Sequence, residues 1–398
     1  MKAGNTFKCS SYLGYEVMEF GRAIADAKEI FYRLHRYPEL SGEEFGTTEY
    51  LKRVLAAHNI PVYPLPLSTG LVAHIGLGNP VIAFRCDIDA LPIQEESGLD
   101  YSSEYSGRMH ACGHDFHAAA LLGIAMALQN ENSLPGTVKL IFQPAEETLG
   151  GARKILETGI LDDVQVIYGL HCCAAFPVGT VISRPGFMNG AVDEFRIEFL
   201  GRGAHACRPH IAADPVIMIG SFIQAAQTIV SRTVNPFHPL LVGISHIEAG
   251  TAKNIIPEQG FVEGTIRSLY PEDRKLAKER LGSLARSIAE SFGGSTVIQI
   301  TDGSPATNNT PEWVSLAEQV ARKLEMPFVA APDSLSGEDF AFYQQKIPGA
   351  FIQIGTGIGP MMHNPAFRAD PEALEPAVQF GARLVRETLE KLKNVESC

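Results

Sequence analysis

The stretch Arg108–Leu128, RMHACGHDFHAAALLGIAMAL, sets Cys112, His114, Asp115 and His117 directly ahead of an apolar, helix-like run. Further along, FQPAEE ends in the adjacent carboxylates Glu146 and Glu147, YGLH ends at His171, and MMHNP carries His363. Thiolate, imidazole and carboxylate together are the donor set of zinc and its late first-row neighbours. Cys112, His114, Glu146, Glu147, His171 and His363 outnumber the four ligands that close a structural zinc site, so the surplus points to two ions and a hydrolytic centre. At such a centre a carboxylate beside the attacking water takes its proton and passes it to the leaving amine. One glutamate does this while the other holds metal, and spacing alone does not say which.

A rival chemistry makes Cys112 a thiolate nucleophile with His114 or His117 as its base. It needs no metal, but it leaves Glu147, His171 and His363 without a task. A cysteine and a histidine two residues apart on one loop also do not ordinarily face each other. GTGIGP at Gly355–Pro360 faintly resembles a nucleotide loop; three glycines that let the backbone turn toward His363 explain it more simply.

These residues need strands to deliver them. IAFRCDID (Ile82–Asp89) alternates apolar and polar positions as a strand does, TVKLIFQ from Thr137 runs into PAEE, and VQVIYGL from Val164 ends at His171. Helical patterns over Gly46–Ala57, Ala118–Gln129 and Gly151–Glu157 lie between them. Strand alternating with helix predicts an α/β fold with a mainly parallel central sheet and flanking helices, with its site at the carboxyl ends of the strands.

After Ser183–Gly186 the texture changes. In DEFRIEFLG, Phe195, Ile197 and Phe199 share one face, and Arg196 and Glu198 share the other, as in a half-solvated antiparallel strand. A helix over Asp214–Arg232, strands over Leu241–Glu248 and Gly260–Arg267, a helix over Pro271–Phe292 and the strand STVIQI complete a βαββαβ order. This predicts an inserted α+β, ferredoxin-like satellite domain at residues 185–300. Residues 1–184 and 301–398 form the catalytic domain, the latter through a helix near Glu312–Leu324, a strand at Ala350–Ile354 and a last helix over Pro371–Lys391.

The length of 398 residues suits two or three cores, and 45% hydrophobic with 20% charged residues is an ordinary globular composition. A net charge of −12 argues against a broad surface for nucleic acid or acidic lipid. The longest apolar run, Ala118–Leu128, falls short of the roughly 18 residues that span a bilayer, so no membrane partner is expected. The first 20 residues are too polar for a secretory signal and read as a loose arm. Cys9, Cys86, Cys112, Cys172, Cys173, Cys207 and Cys398 are odd in number and scattered, which fits reduced thiols in a cytoplasm.

HRYPELSGEE, RCDIDALPIQEE, MHACGHDFH, FQPAEE, GLH, GRGAHACRPH, GTAKNIIP, GTIR, SGEDFAFY and MHNPAF occur in that order between His35 and Leu374. Together they resemble the signature segments of the aminoacylase and glutamate carboxypeptidase family of two-metal amidohydrolases (peptidase family M20). The similar branch holds hippurate hydrolases, N-acyl-amino-acid amidohydrolases and auxin-conjugate hydrolases. The resemblance implies that Cys112 bridges two metal ions, that His114, Glu147, His171 and His363 are the remaining ligands, and that Glu146 is the catalytic base. It makes Asp87 an aspartate that orients a ligand, and puts Arg85 where other branches carry a ligand histidine. It implies that His205, Asn254 and Arg267 reach substrate from a satellite domain that pairs two subunits, with His205 and Asn254 donating to the oxyanion and Arg267 holding the amino acid's carboxylate.

The expected cofactors are two divalent ions of zinc, manganese, cobalt or nickel, and the expected activity is hydrolysis of N-acetyl, N-benzoyl or other aromatic-acyl amino acids. A dipeptidase or carboxypeptidase of the same family is the alternative. A non-catalytic metal- or peptide-binding protein is the other, although a binder needs no Glu146. Two features depart from the family pattern: Cys172 and Cys173 replace bulkier residues after His171, and Ala204 stands where a second glycine is common.

Overall fold

Strands Val81–Asp87, Thr137–Gln143 and Val166–Cys173 are buried along their whole length, as strands of a parallel sheet covered on both faces must be. The computed structural model describes residues 9–129 and 134–396. They divide into two units. The first holds the described residues up to Gly186, then Asn309–Ala331 and those from Phe342 onward; the second holds Phe187–Asn308 and Pro332–Ala341.

The sheet of the first unit has seven strands in the spatial order Leu71–Gly76, Thr137–Gln143, Val81–Asp87, Val166–Cys173, Gly349–Gly355, Val181–Ser183 and Phe328–Ala330. The four strands from Thr137–Gln143 to Gly349–Gly355 run parallel, so their carboxyl ends lie along one edge. Helix His114–Gln129 is buried at every position from His114 to Leu128 and packs on helices Cys9–Arg36 and Leu374–Glu396 and on Val81–Asp87. A helix apolar all round belongs inside a core in this way.

Arg85 and Asp87, polar positions of Ile82–Asp89, are both fully buried and pair at 2.7 Å. Two sequence expectations change here. The helix expected from Ala118 begins at His114, because His114, Asp115 and His117 point inward as polar residues with partners, which an apolar periodicity does not register. The loose arm expected over the first 20 residues is helical from Cys9; residues 1–8 lie outside the described residues. Ala23, Ile24, Ala27, Ile30, Phe31 and Leu34 bury one stripe of that helix, and a helix nucleated by such packing propagates cheaply into polar sequence.

In the second unit four antiparallel strands lie in the order Ser295–Asp302, Ala191–Leu200, Gln259–Ser268 and Leu240–Ala249. Phe195, Ile197 and Phe199 face helices Pro215–Thr228 and Pro271–Ser291, where they pack with Met218, Phe222, Val262 and Leu281. Buried Asp193 is held by both nitrogens of the Arg274 fork at 2.8 and 2.6 Å and by Lys278 at 3.0 Å, which ties the strand to helix Pro271–Ser291. Among the described residues no helix is long and apolar enough to cross a membrane.

Candidate metal centre

The parallel strands of the first unit release the chemistry-bearing residues at their carboxyl ends, where open α/β sheets bind ligands. Val81–Asp87 leads to Asp89, Thr137–Gln143 leads into Pro144–Glu147, Val166–Cys173 carries His171 near its end, and Gly349–Gly355 leads toward His363. Two backbone devices aim the rest. Gly113 takes φ +80°, and a Cβ there would lie 2.4 Å from Cys172 Sγ, so only glycine lets Cys112 and His114 flank that turn. His363 itself adopts φ 66° and is anchored by its N–H to Ala111 O at 2.8 Å.

These devices bring all six donors expected from the sequence together. Cys112, His114 and His171 form one cluster, Cys112, Glu147 and His363 a second, and His114, Glu146 and Glu147 a third, with the ligand atoms of each within 4.8 Å of one another. Cys112, His114 and Glu147 each belong to two of these clusters.

Hydrogen bonding sorts the lone pairs. His171 Nδ1 lies 2.7 Å from Cys172 O, so it carries the proton and leaves Nε2 as a lone pair, 3.7 Å from Cys112 Sγ. His114 Nδ1 donates to Asp89 Oδ1 at 3.1 Å. His114 Nε2 and Glu147 Oε1 are buried without a hydrogen-bond partner, 3.8 Å apart, and His363 Nε2 is 3.4 Å from the same oxygen. Tetrahedral bonds of about 2.0–2.2 Å to nitrogen and oxygen place neighbouring ligand atoms about 3.3–3.6 Å apart, close to these separations. Orphaned polar atoms are costly in a core, and imidazoles that donate their second nitrogen to a carboxylate or carbonyl are the usual metal ligands. Burial opposes charge on the His114 ring, yet Asp87 and Asp89 outweigh it and raise its pKa well above the usual value. The spot favours a cation. The residues therefore fit a pair of divalent ions.

His117 also lies within reach of this cluster, but it has no lone pair to offer. Its Nε2 accepts from Cys172 N at 2.8 Å, and its Nδ1 donates to Asp87 Oδ1 at 2.5 Å. It fixes the strand end beside His171 instead. Asp87 accepts from Arg85 Nη1 at 2.7 Å, and Arg85 Nε donates to Gln143 Oε1 at 2.9 Å. Asp87 thus meets Arg85 and His117, and stands 3.8 Å from His114 Nε2; the carboxylate on the far nitrogen of His114 is Asp89. Asp89 Oδ2 also accepts from Glu147 N at 3.0 Å, so one side chain serves two candidate ligands. Its role went unread in the sequence, where its only signal was its place at a strand exit. The nucleophile chemistry finds little support: burial pushes the Cys112 thiol up, whereas nucleophilic thiols are held low.

In the second unit, His205 and Asn254 come together. Strand Ala204–His205 pairs with Ile255–Ile256, His205 opposite Ile255, and Ala206 N donates to Asn254 O at 3.1 Å. Both side chains are exposed. His205 Nδ1 accepts from Cys207 N at 3.2 Å, which leaves the proton on Nε2 as an outward donor. Arg267, half-buried on Gln259–Ser268, donates from Nη1 to Leu335 O at 3.1 Å.

A family model described as Peptidase family M20/M25/M40 matches residues 83–387. The N-acetylcysteine deacetylase of Bacillus subtilis strain 168 is 42% identical over 364 residues, 90% of this chain and 96% of the relative. The N-acetyldiaminopimelate deacetylase of Geobacillus sp. strain WCH70 is 34% identical over 87% of this chain and 94% of its own length. A crystal structure of a Bacillus subtilis protein described as a dinuclear metal-binding peptidase of the M20 family superposes with a TM-score of 0.83 at 38% identity, covering 94% of this chain and 99% of that one.

Proposed function

This chain belongs to peptidase family M20/M25/M40, and we propose that it hydrolyses the amide bond of N-acyl amino acids to a carboxylic acid and a free amino acid. The observation that carries the proposal is the orphaned pair His114 Nε2 and Glu147 Oε1 in one cluster with the carboxylate of Glu146.

Cys112, His114, Glu147, His171 and His363 would hold two divalent ions, of zinc, manganese, cobalt or nickel, which when bound would polarise the scissile carbonyl and acidify a water. Glu146 takes a proton from the attacking water at its carboxylate and delivers it to the leaving nitrogen, base in one half of the reaction and acid in the other. Asp89 keeps the proton on His114 Nδ1, and the Cys172 carbonyl keeps the proton on His171 Nδ1, so both rings present Nε2 throughout. His205 and Asn254 donate to the oxyanion as charge develops on it. Arg267 reads the amino acid's carboxylate with its planar fork.

The acyl group is acetyl or an aromatic acyl, in keeping with relatives named as deacetylases. The working form is a homodimer joined through the satellite unit. Its two edge strands, Leu240–Ala249 and Ser295–Asp302, each have one strand neighbour among the described residues and expose Leu241, Ile247 and Val297. Cys86, Cys112, Cys172, Cys173 and Cys207 are free, which supports a cytoplasmic setting.

The test is release of free amino acid from N-acetyl, N-benzoyl and indole-acetyl amino acids and from dipeptides, using chelator-stripped protein with and without added manganese or zinc. Metal-dependent release from the acyl series is expected; release from the dipeptides alone moves the assignment to a peptidase. Glu146→Gln should keep both ions and lower turnover by about 10³-fold or more. A variant with near-parental turnover removes Glu146 from the mechanism.

A further inference from the structure

The turn that carries Glu146 is held from outside the ligand set. Ala145 sits at φ 53°, a left-handed conformation that a residue with a Cβ keeps only when its surroundings enforce it. Its N–H donates to Glu44 Oε1 at 2.8 Å. Glu44 is fully buried, and the same oxygen accepts from Gly42 N at 2.9 Å, so its own loop fixes the acceptor before Ala145 meets it.

The surroundings leave this contact no slack. Thr48 Oγ1 donates to Glu44 O at 2.6 Å and accepts from Gly70 N at 2.8 Å. A Cβ on Gly70 would lie 2.4 Å from Pro144 Cδ. On the other side of the turn, Ala145 O accepts from Gly150 N and Gly151 N at 3.2 Å each. Three residues before Glu44, Ser41 donates to Asp89 Oδ2 at 2.6 Å, the oxygen that also holds Glu147 N. One short segment, SGEE, therefore reaches both glutamates of the site, Glu146 through Ala145 and Glu147 through Asp89. A buried carboxylate is an expensive way to satisfy a backbone N–H, and what it supplies in return is a strong, doubly bonded acceptor at a fixed point.

We infer that Glu44 is a positioning residue for Glu146: its Oε1 holds the Ala145 N–H, enforces the left-handed turn and so aims the Glu146 carboxylate, without itself touching substrate. The inference rests on Glu146 being the base.

Two variants separate the acceptor from the volume it fills. Glu44→Gln keeps a carbonyl oxygen for Ala145; Glu44→Met keeps the length and removes the acceptor. Misplacement by about 1 Å costs about 10²-fold in rate, so Glu44→Met should lower kcat by roughly 30-fold and Glu44→Gln by no more than about threefold. An aiming defect leaves ground-state binding alone, so KM stays within about twofold, with two ions per chain by elemental analysis. In metal-free protein the amides of residues 145–149 should exchange faster in Glu44→Met and at the parental rate in Glu44→Gln. Equal kcat in the two variants, or a loss confined to KM or to metal content, overturns the inference. If Glu44→Met gives no cooperative melt, Glu44→Asp, which draws the acceptor back by one methylene, replaces it under the same criteria. Glu146→Gln runs alongside: an active Glu146→Gln removes the base, whereas an inactive one beside a fully active Glu44→Met removes only the positioning role.

Discussion

The two units carry their polar chemistry in opposite states. In the first, donors are turned before any ligand arrives: His114 Nδ1 is held by Asp89 and His171 Nδ1 by the Cys172 carbonyl, which points His114 Nε2 toward Glu147 and His171 Nε2 toward Cys112. In the second, His205 and Asn254 are exposed and held by backbone contacts. The difference follows from what each set must meet. A metal ligand has to be correctly turned toward the ion, and folding does that turning. A group that meets a substrate can stay hydrated until the substrate displaces the water.

The largest effect that would break this contrast is at Cys112, which belongs to two of the donor clusters. Losing a residue that merely supports a ligand weakens metal binding about 10–100-fold, and Cys112→Ser, which removes a ligand, should exceed that in competition with a chromophoric chelator. Unchanged metal binding with lost turnover would restore the thiolate nucleophile. His205→Ala is the opposite case: metal affinity stays parental while turnover falls about 10²–10³-fold, the cost of one oxyanion donor. Mixing it with Glu146→Gln sharpens the result. If His205 acts across subunits, hybrid dimers contain one site with both an intact base and an intact donor, and activity returns. Verified hybrids without recovery confine His205 to its own chain.

The same contrast governs what the sequence disclosed. That Cys112, His114, Glu146, Glu147, His171 and His363 would cluster was legible because their types stand out, Glu146, Glu147 and His171 at the ends of hydrophobic strands and Cys112 and His114 ahead of an apolar helix. The alternation Phe195, Ile197, Phe199 gave away the satellite sheet for the same reason. Asp89 and His117 were not assigned, because what they do depends on which ring nitrogen faces which partner, and periodicity carries no such information. The start of helix His114–Gln129 was missed for a related reason: its first turn is polar yet buried, and burial of a paired polar residue leaves no apolar trace. Glu44 lies 101 residues from Ala145 in sequence, and only the folded chain puts them in contact.

Two histidine–carboxylate pairs with the same 2.6 Å separation allow the gentlest test of the contrast. His35 in the first unit has Nδ1 2.6 Å from Asp115 Oδ2 and Nε2 3.1 Å from Glu95 Oε1, its side chain 3% exposed. His246 on the satellite sheet has Nδ1 2.6 Å from Glu263 Oε2, its side chain 56% exposed. Burial alone would lower the pKa of His35, but Asp115 and Glu95 reverse this and raise it from 6.5 to about 9. Burial likewise works against the Glu95 carboxylate, yet His35, Ser97 and the Ser103 N–H hold it down to about 2, from 4.5. A raised histidine stabilises the fold fully below 6.5 and loses that contribution as pH climbs through about 9; a lowered glutamate contributes above 4.5 and loses it as pH falls toward 2. Both act together between pH 4.5 and 6.5. In metal-free protein, His35→Gln should therefore lower Tm most in that window and progressively less toward pH 9. His246→Gln, at a solvent-screened pair, should shift Tm by no more than about 2 °C at any pH. A penalty for His35→Gln that is as large at pH 9 as at pH 6 would mean that His35 is neutral in the fold, held by hydrogen bonds alone.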